Sequence, residues 1–209
     1  MKKLRLGFLA SGRGSNLQAI LRACQDGRLG AVPAIVISNN ADSGALALAR
    51  REALPAFHLS TRTHPDPAEL DEAITAALQQ HDVDLVVLAG YMKKIGPVTL
   101  RTYRHRILNI HPALLPKHGG QGMYGMAVHE AVISAGEKET GVTVHVVEED
   151  YDSGMVLAQG RVPVHAGDTA ATLAARVLEK EHVLYVEVLR GIIDGTITLP
   201  GQESIPGKV

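Results

Sequence analysis

The strongest constraint on this sequence is its rhythm, in which short, continuously apolar runs alternate with longer stretches whose apolar residues recur at helical spacing. Leu4–Ala10 reads as a buried strand, and Gly12-Arg13-Gly14 breaks it before Leu17, Ile20 and Leu21 set a helical period. Ala34-Ile35-Val36-Ile37 is a second strand, ended by Ser38-Asn39-Asn40, and residues 45–51 supply a helix. Residues 55–59 form a weaker strand. Leu70, Ala73, Ile74, Ala77 and Leu78 mark the next helix, residues 84–89 the next strand, and 106–111 another, stopped by Pro112. Strands that are apolar throughout are buried on both faces, so the pattern predicts an α/β fold: a mostly parallel sheet with helices on both faces. Beyond Glu130 the rhythm changes. Residues 142–147 and 156–164 are strands joined by an acidic turn with no helix between them, which predicts an antiparallel C-terminal strand pair. Gly167-Asp168-Thr169 then caps a long helix carrying Leu173, Val177, Leu178, Leu184, Val188 and Leu189.

Composition removes several function classes. The chain has 209 residues, 45% hydrophobic and 21% charged, so it can bury a sizeable core. Cys24 is the only cysteine, which excludes an intramolecular disulfide and a cysteine-rich zinc site and suits a reducing, cytoplasmic setting. The apolar run at residues 6–10 is too short for a secretory signal, and no stretch approaches the roughly 20 residues of a membrane span. A soluble protein with no membrane partner is expected. With no Trp, two Phe, five Tyr and a net charge of -1, no nucleic-acid partner is expected either. The charge is unevenly spread: between Asp84 and Glu130 there is no acid, yet Lys93, Lys94, Arg101, Arg104, Arg106 and Lys117 lie there. This stretch is either a solvated face or one that attracts anionic ligands through its local field.

Three places could carry chemistry. Ser11-Gly12-Arg13-Gly14-Ser15-Asn16 lies between a strand and a helix, where open backbone amides and the helix dipole favour a phosphate. A dinucleotide fingerprint would need glycine at Leu17 and usually an acid where Asn39 stands. The loop therefore suits a lone phosphate, or else is a turn fitted for packing. Asn109 and His111 are two apart on a strand, so they share a face at its C-terminal end, where open α/β sheets place ligands. An amide that steadies an oxyanion beside an imidazole that moves protons suits acyl transfer. Asp152, in Tyr151-Asp152-Ser153-Gly154, is either a turn former or a carboxylate that orients His111 and favours its charged form. His145 on a strand is ambiguous between core and site. No His-Glu-x-x-His pattern and no Gly-x-Ser-x-Gly elbow occurs, so neither a metal nor serine hydrolase chemistry is expected. The glycine-rich segment 119–125 is either a loop that closes over a ligand or an inert one.

Taken together, the Ser11 to Ile20 segment, Asn109-Ile110-His111-Pro112-Ala113-Leu114-Leu115-Pro116 and Tyr151-Asp152-Ser153-Gly154 resemble the phosphoribosylglycinamide formyltransferase family, over residues 4–193. The resemblance implies a Rossmann-like sheet and transfer of a formyl group from 10-formyltetrahydrofolate, as co-substrate, to the amine of glycinamide ribonucleotide in purine synthesis. It implies that Gly14, Ser15 and Asn16 hold the ribonucleotide phosphate and that Glu181 meets its amino end. Met92, Lys93, Lys94 and Ile95 would form part of the folate cleft with Asn109, and backbone at 148–152 would border the pterin. Asn109, His111 and Asp152 would be catalytic. Some relatives bring an arginine to the folate near the helix that begins here around Asp66, where this chain has Arg62-Thr63-His64-Pro65-Asp66-Pro67. The implied organisation is one formyltransferase domain over 1–209, with a phosphate-binding half at about 1–105, a folate and catalytic half at about 106–194 and a tail at 195–209. A homodimer is left open. The rival readings are a formyltetrahydrofolate deformylase, which adds an N-terminal regulatory domain; a methionyl-tRNA formyltransferase, which adds a C-terminal tRNA-binding domain; and a non-catalytic phosphate- or nucleotide-sensing module. With the first strand at Leu4 and a short tail, neither extra domain is expected.

Overall fold

A computed structural model of the chain describes residues 3–201. The expected alternation is present from the start: β1 (Leu4–Ala10), α1 (Ser15–Gln25), β2 (Ala31–Ser38), α2 (Gly44–Arg51), β3 (Ala56–His58), α3 (Pro67–Gln80), β4 (Leu85–Leu88), α4 (Pro97–Thr102) and β5 (Ile107–His111). Then follow α5 (Met126–Ser134), β6 (Glu139–Val146), β7 (Val156–Pro163) and α6 (Ala170–Asp194). One sheet takes all seven strands in the order β3-β2-β1-β4-β5-β6-β7. The first five are parallel, and β6 runs antiparallel to both β5 and β7. The chain builds outward from β1 to β3, then returns through α3 to β4 on the other side of β1. That reversal opens a crevice beyond the carboxyl ends of β1 and β4.

Side chains alternate across the sheet as a pleated strand requires. Leu6, Phe8, Leu85, Val87 and Leu108 face one core, closed by α1, α2, α5 and α6. Leu9, Ile35, Ile37, Val86 and Ile107 face a second core, closed by α3 and the segment around α4. Thr169 caps α6 in a reciprocal box with Thr172, as the Gly-Asp-Thr signal implies.

Differences from the sequence reading have local causes. In α5, Met126, Ala127, Val128, Ala131, Val132 and Ile133 leave no polar face to reveal a helical period. β6 starts at Glu139, three residues before the expected 142, because Gly141 disguises it. A Cβ at Gly141 would lie 2.1 Å from the Gly160 carbonyl oxygen, so close strand packing demands glycine there. Pro33 sits inside β2, but β3 pairs only with Val36–Ser38, so β2 has no outer strand neighbour at the proline.

Candidate active site

The loops that follow β1, β4 and β5, together with the β6–β7 turn and α6, enclose a cleft of ≈ 850 Å³. Gly14, Ser15, Asn16, Met92, Lys93, Lys94, Asn109, His111, Asp152 and Glu181 all line it. Ile95 does not. It is buried in the second core and borders a smaller recess of ≈ 80 Å³, which it shares with Asn109, His145 and the 147–152 turn. Arg62 lines neither cavity.

At the first loop, Gly14 takes φ 78° and caps α1 with no side-chain hydrogen bond, so the first amides of the helix remain open. A Cβ at Gly14 would lie 2.9 Å from Ala45 Cα, and one at Gly44 would lie 2.7 Å from the Arg13 carbonyl oxygen. The glycines let the loop touch α2, as the packing reading of this turn requires, and the same backbone leaves the first amides of α1 open. Behind it, Asn16 Nδ2 donates to Glu181 Oε2 at 2.6 Å, while Asn16 Oδ1 is buried with no hydrogen-bond partner. Burial pushes the Glu181 carboxyl up to about 7, against the pull of the Asn16 donor.

At the end of β5, His111 is 3% exposed. Its Nε2–H donates to the His118 carbonyl at 2.8 Å, and its Nδ1 lies 3.6 Å from Asp152 Oδ2. Asp152 has φ 55° and accepts the Gly120 N–H at 2.9 Å, which ties the glycine-rich segment to the site. Burial raises the Asp152 carboxyl, but the His145 hydrogen bond, the nearby His111 charge and the Gly120 amide together bring it below the usual range. The expectation that Asp152 keeps His111 charged needs correction: burial is the larger influence and lowers the His111 pKa, with the carboxylate acting against it. His145, left ambiguous by sequence, stands directly across from Asn109 on β6. Its Nδ1–H donates to the Val146 carbonyl at 2.9 Å, and its Nε2 lies 3.2 Å from Asn109 Nδ2 and 3.4 Å from Asp152 Oδ1. It thus stands between the Asn109 amide and the Asp152 carboxylate.

Of the six cations in the acid-free stretch, only Lys93 and Lys94 line the cleft. Lys117 pairs with Glu137 at 2.9 Å, and Arg106 donates to the Asp84 and Thr102 carbonyls and stacks on Tyr103. Tyr185 is a residue that sequence reasoning missed. One helical turn beyond Glu181, its buried hydroxyl points at the Leu108 and Leu88 carbonyls at 2.9 and 3.2 Å, pinning α6 to β4 and β5. Its spacing of four from Glu181 is the signal that was available.

Comparison with known proteins shows the family and the fold. The profile of the formyl transferase family matches residues 4–189. A phosphoribosylglycinamide formyltransferase of Haemophilus influenzae is 40% identical over 199 residues, covering 95% of this chain and 91% of that protein. A chloroplastic phosphoribosylglycinamide formyltransferase of Vigna unguiculata is 41% identical; the alignment covers 94% of this chain but 63% of that relative's length. The crystal structure of glycinamide ribonucleotide transformylase 1 from Symbiobacterium toebii superposes with a TM-score of 0.89 at 40% identity, covering 95% of this chain and 92% of that one.

Proposed function

The chain belongs to the formyl transferase family, and on that premise we propose that it moves a formyl group from 10-formyltetrahydrofolate to the amine of glycinamide ribonucleotide. The products are formylglycinamide ribonucleotide and tetrahydrofolate, a step of purine synthesis. The observation that carries this reading is the sharing of one cleft by an uncapped helix N-terminus at Gly14–Asn16 and the Asn109, His111 and Asp152 cluster. A phosphate seated on the α1 amides places the rest of a ribonucleotide along the cleft toward β5. The small recess behind Asn109 offers backbone at 148–152 to a flat heterocycle such as a pterin, with Lys93 and Lys94 at the shared rim.

In the transfer, the amine nitrogen attacks the formyl carbon and the carbonyl oxygen takes the negative charge. Asn109 Nδ2, which lies 3.2 Å from His145 Nε2, has an N–H for that oxygen. His111 Nε2–H, held in the free protein by the His118 carbonyl, is the second donor. As the charge develops, the imidazole is stabilised in its protonated form by Asp152. Burial makes that imidazolium more acidic than an ordinary one, so it can give a proton to the departing folate nitrogen while the proton shed by the amine replaces it. The amine loses a proton, the bond between the formyl carbon and the folate nitrogen breaks, and that nitrogen is protonated as it leaves. Cys24 is the only cysteine, so the chain needs no intramolecular disulfide, which suits the reducing conditions of a cytoplasmic enzyme.

The test is loss of the formyl group from 10-formyltetrahydrofolate, followed with and without glycinamide ribonucleotide. Loss that requires the ribonucleotide is expected; loss without it identifies a deformylase, and none a binding module. Asn109→Ala and His111→Ala should each lower kcat by about a hundredfold or more. Near wild-type turnover in either variant would remove the assigned role.

A further inference from the structure

The surface that would meet the formyl donor includes residues 90–96, a segment with no helix or strand of its own. Its backbone is held from outside at both ends. At the start, the Ser11 N–H donates to the Gly90 carbonyl at 2.9 Å. The Ser11 hydroxyl accepts the Met92 N–H at 2.7 Å and donates to Asn39 Oδ1 at 2.5 Å. Asn39, which stands where a dinucleotide-binding chain usually has an acid, is thus turned to orienting a serine. At the far end, Asp71 of α3 is 4% exposed and accepts the Val98 N–H at 2.6 Å, the Thr99 N–H at 3.1 Å and the Thr99 hydroxyl at 2.5 Å. A Cβ at Gly96 would lie 2.2 Å from Asp71 Cγ, so the segment packs directly on the carboxylate. None of Ser11, Asn39 and Asp71 lines either cavity.

A carboxylate this deeply buried is tolerated because its oxygens face donors, and charge-assisted bonds of this kind are about twice as strong as neutral ones. Their strength is spent on fixing where α4 begins, and therefore where the preceding segment ends. Ser11 fixes where it starts. A loop held at both ends loses less freedom on meeting a ligand than one that must be ordered by it. We propose that Ser11 and Asp71 are positioning residues that preset residues 90–96 to receive the folate co-substrate. This rests on the functional reading above.

The experiment uses the full chain as wild type, Ser11→Ala, Ser11→Thr and Asp71→Asn. Amide hydrogen exchange is measured on each free protein, tetrahydrofolate binding by calorimetry, and KM for glycinamide ribonucleotide at saturating formyl donor. Ser11→Ala is expected to speed exchange at Met92 and to weaken tetrahydrofolate about five- to tenfold, with the ribonucleotide KM within about twofold. Ser11→Thr, which keeps the hydroxyl, restores the affinity. Asp71→Asn replaces one of the two acceptor oxygens by an NH2, which faces either the Val98 or the Thr99 N–H, and should repeat the pattern, with faster exchange at the amide that loses its acceptor. If it does not fold, the Ser11 pair carries the test. Unchanged exchange, unchanged tetrahydrofolate affinity in Ser11→Ala, or equal losses for both substrates overturns the proposal. A wild-type chain that binds no tetrahydrofolate overturns the functional reading instead, and exchange at Met92 then decides on the loop by itself.

Discussion

Glu181 holds its proton into a pH range where ordinary carboxyls have released theirs, because burial on α6 outweighs the donor it has in the Asn16 amide. Its folded pKa of about 7 lies above the unfolded value of 4.5, so the folded chain binds the extra proton. The resulting stability is fully present below pH 4.5 and is lost as pH rises through about 7. Urea unfolding of the wild type should therefore lose on the order of 2 to 3 kcal/mol more than Glu181→Gln across that window. Equal slopes would place the shifted group elsewhere. His111 has the opposite sign: burial lowers its folded pKa, so the stability it contributes is present above the unfolded value and falls as pH drops through the folded one. Asp152 opposes this shift. In Asp152→Asn the His111 ring, followed by NMR, should titrate at a lower pH than in the wild type; an unchanged titration would mean that the two groups do not interact.

Among the elements, α6 does the most to shape the site, since it carries Glu181 and is fastened through Tyr185 to β4 and β5. Tyr185→Phe keeps the ring and removes the hydroxyl, leaving two buried carbonyls without that donor. A loss of about 1 to 3 kcal/mol in unfolding free energy is expected, together with a higher KM for the ribonucleotide. A stability loss without a change in KM would make the contact purely structural. The contact of α1 with α2 is equally confining. Gly14→Ala combines φ 78° with a 2.9 Å approach to Ala45 Cα, so it should weaken ribonucleotide binding and lower Tm together.

Across the whole molecule, the net charge of -1 conceals two cleft lysines that an anionic substrate tail would meet. KM for polyglutamated folate should rise with salt more steeply than KM for the monoglutamate, and the difference should vanish in Lys93→Ala/Lys94→Ala. Equal salt slopes in the wild type would remove the two lysines from that role. The strands from β1 to β5 and the reversal into an antiparallel pair were legible because apolar periodicity is a local property of the chain. So was the placing of Asn109 with His111, which needs only the two-residue repeat of a strand. Helix α5 was not legible, for its apolar residues leave no stripe. Tyr185, Asn39 and Asp71 were not either, because their partners lie 77, 28 and 28 residues away. The sequence alone thus determined the architecture, the chemical kit and the family it resembles. Only the tertiary structure decided which cations reach the cleft, that burial outweighs Asp152 at His111, and that Glu181 is neutral in part. Those depend on distance and desolvation, which exist only once segments far apart in the chain are packed against one another.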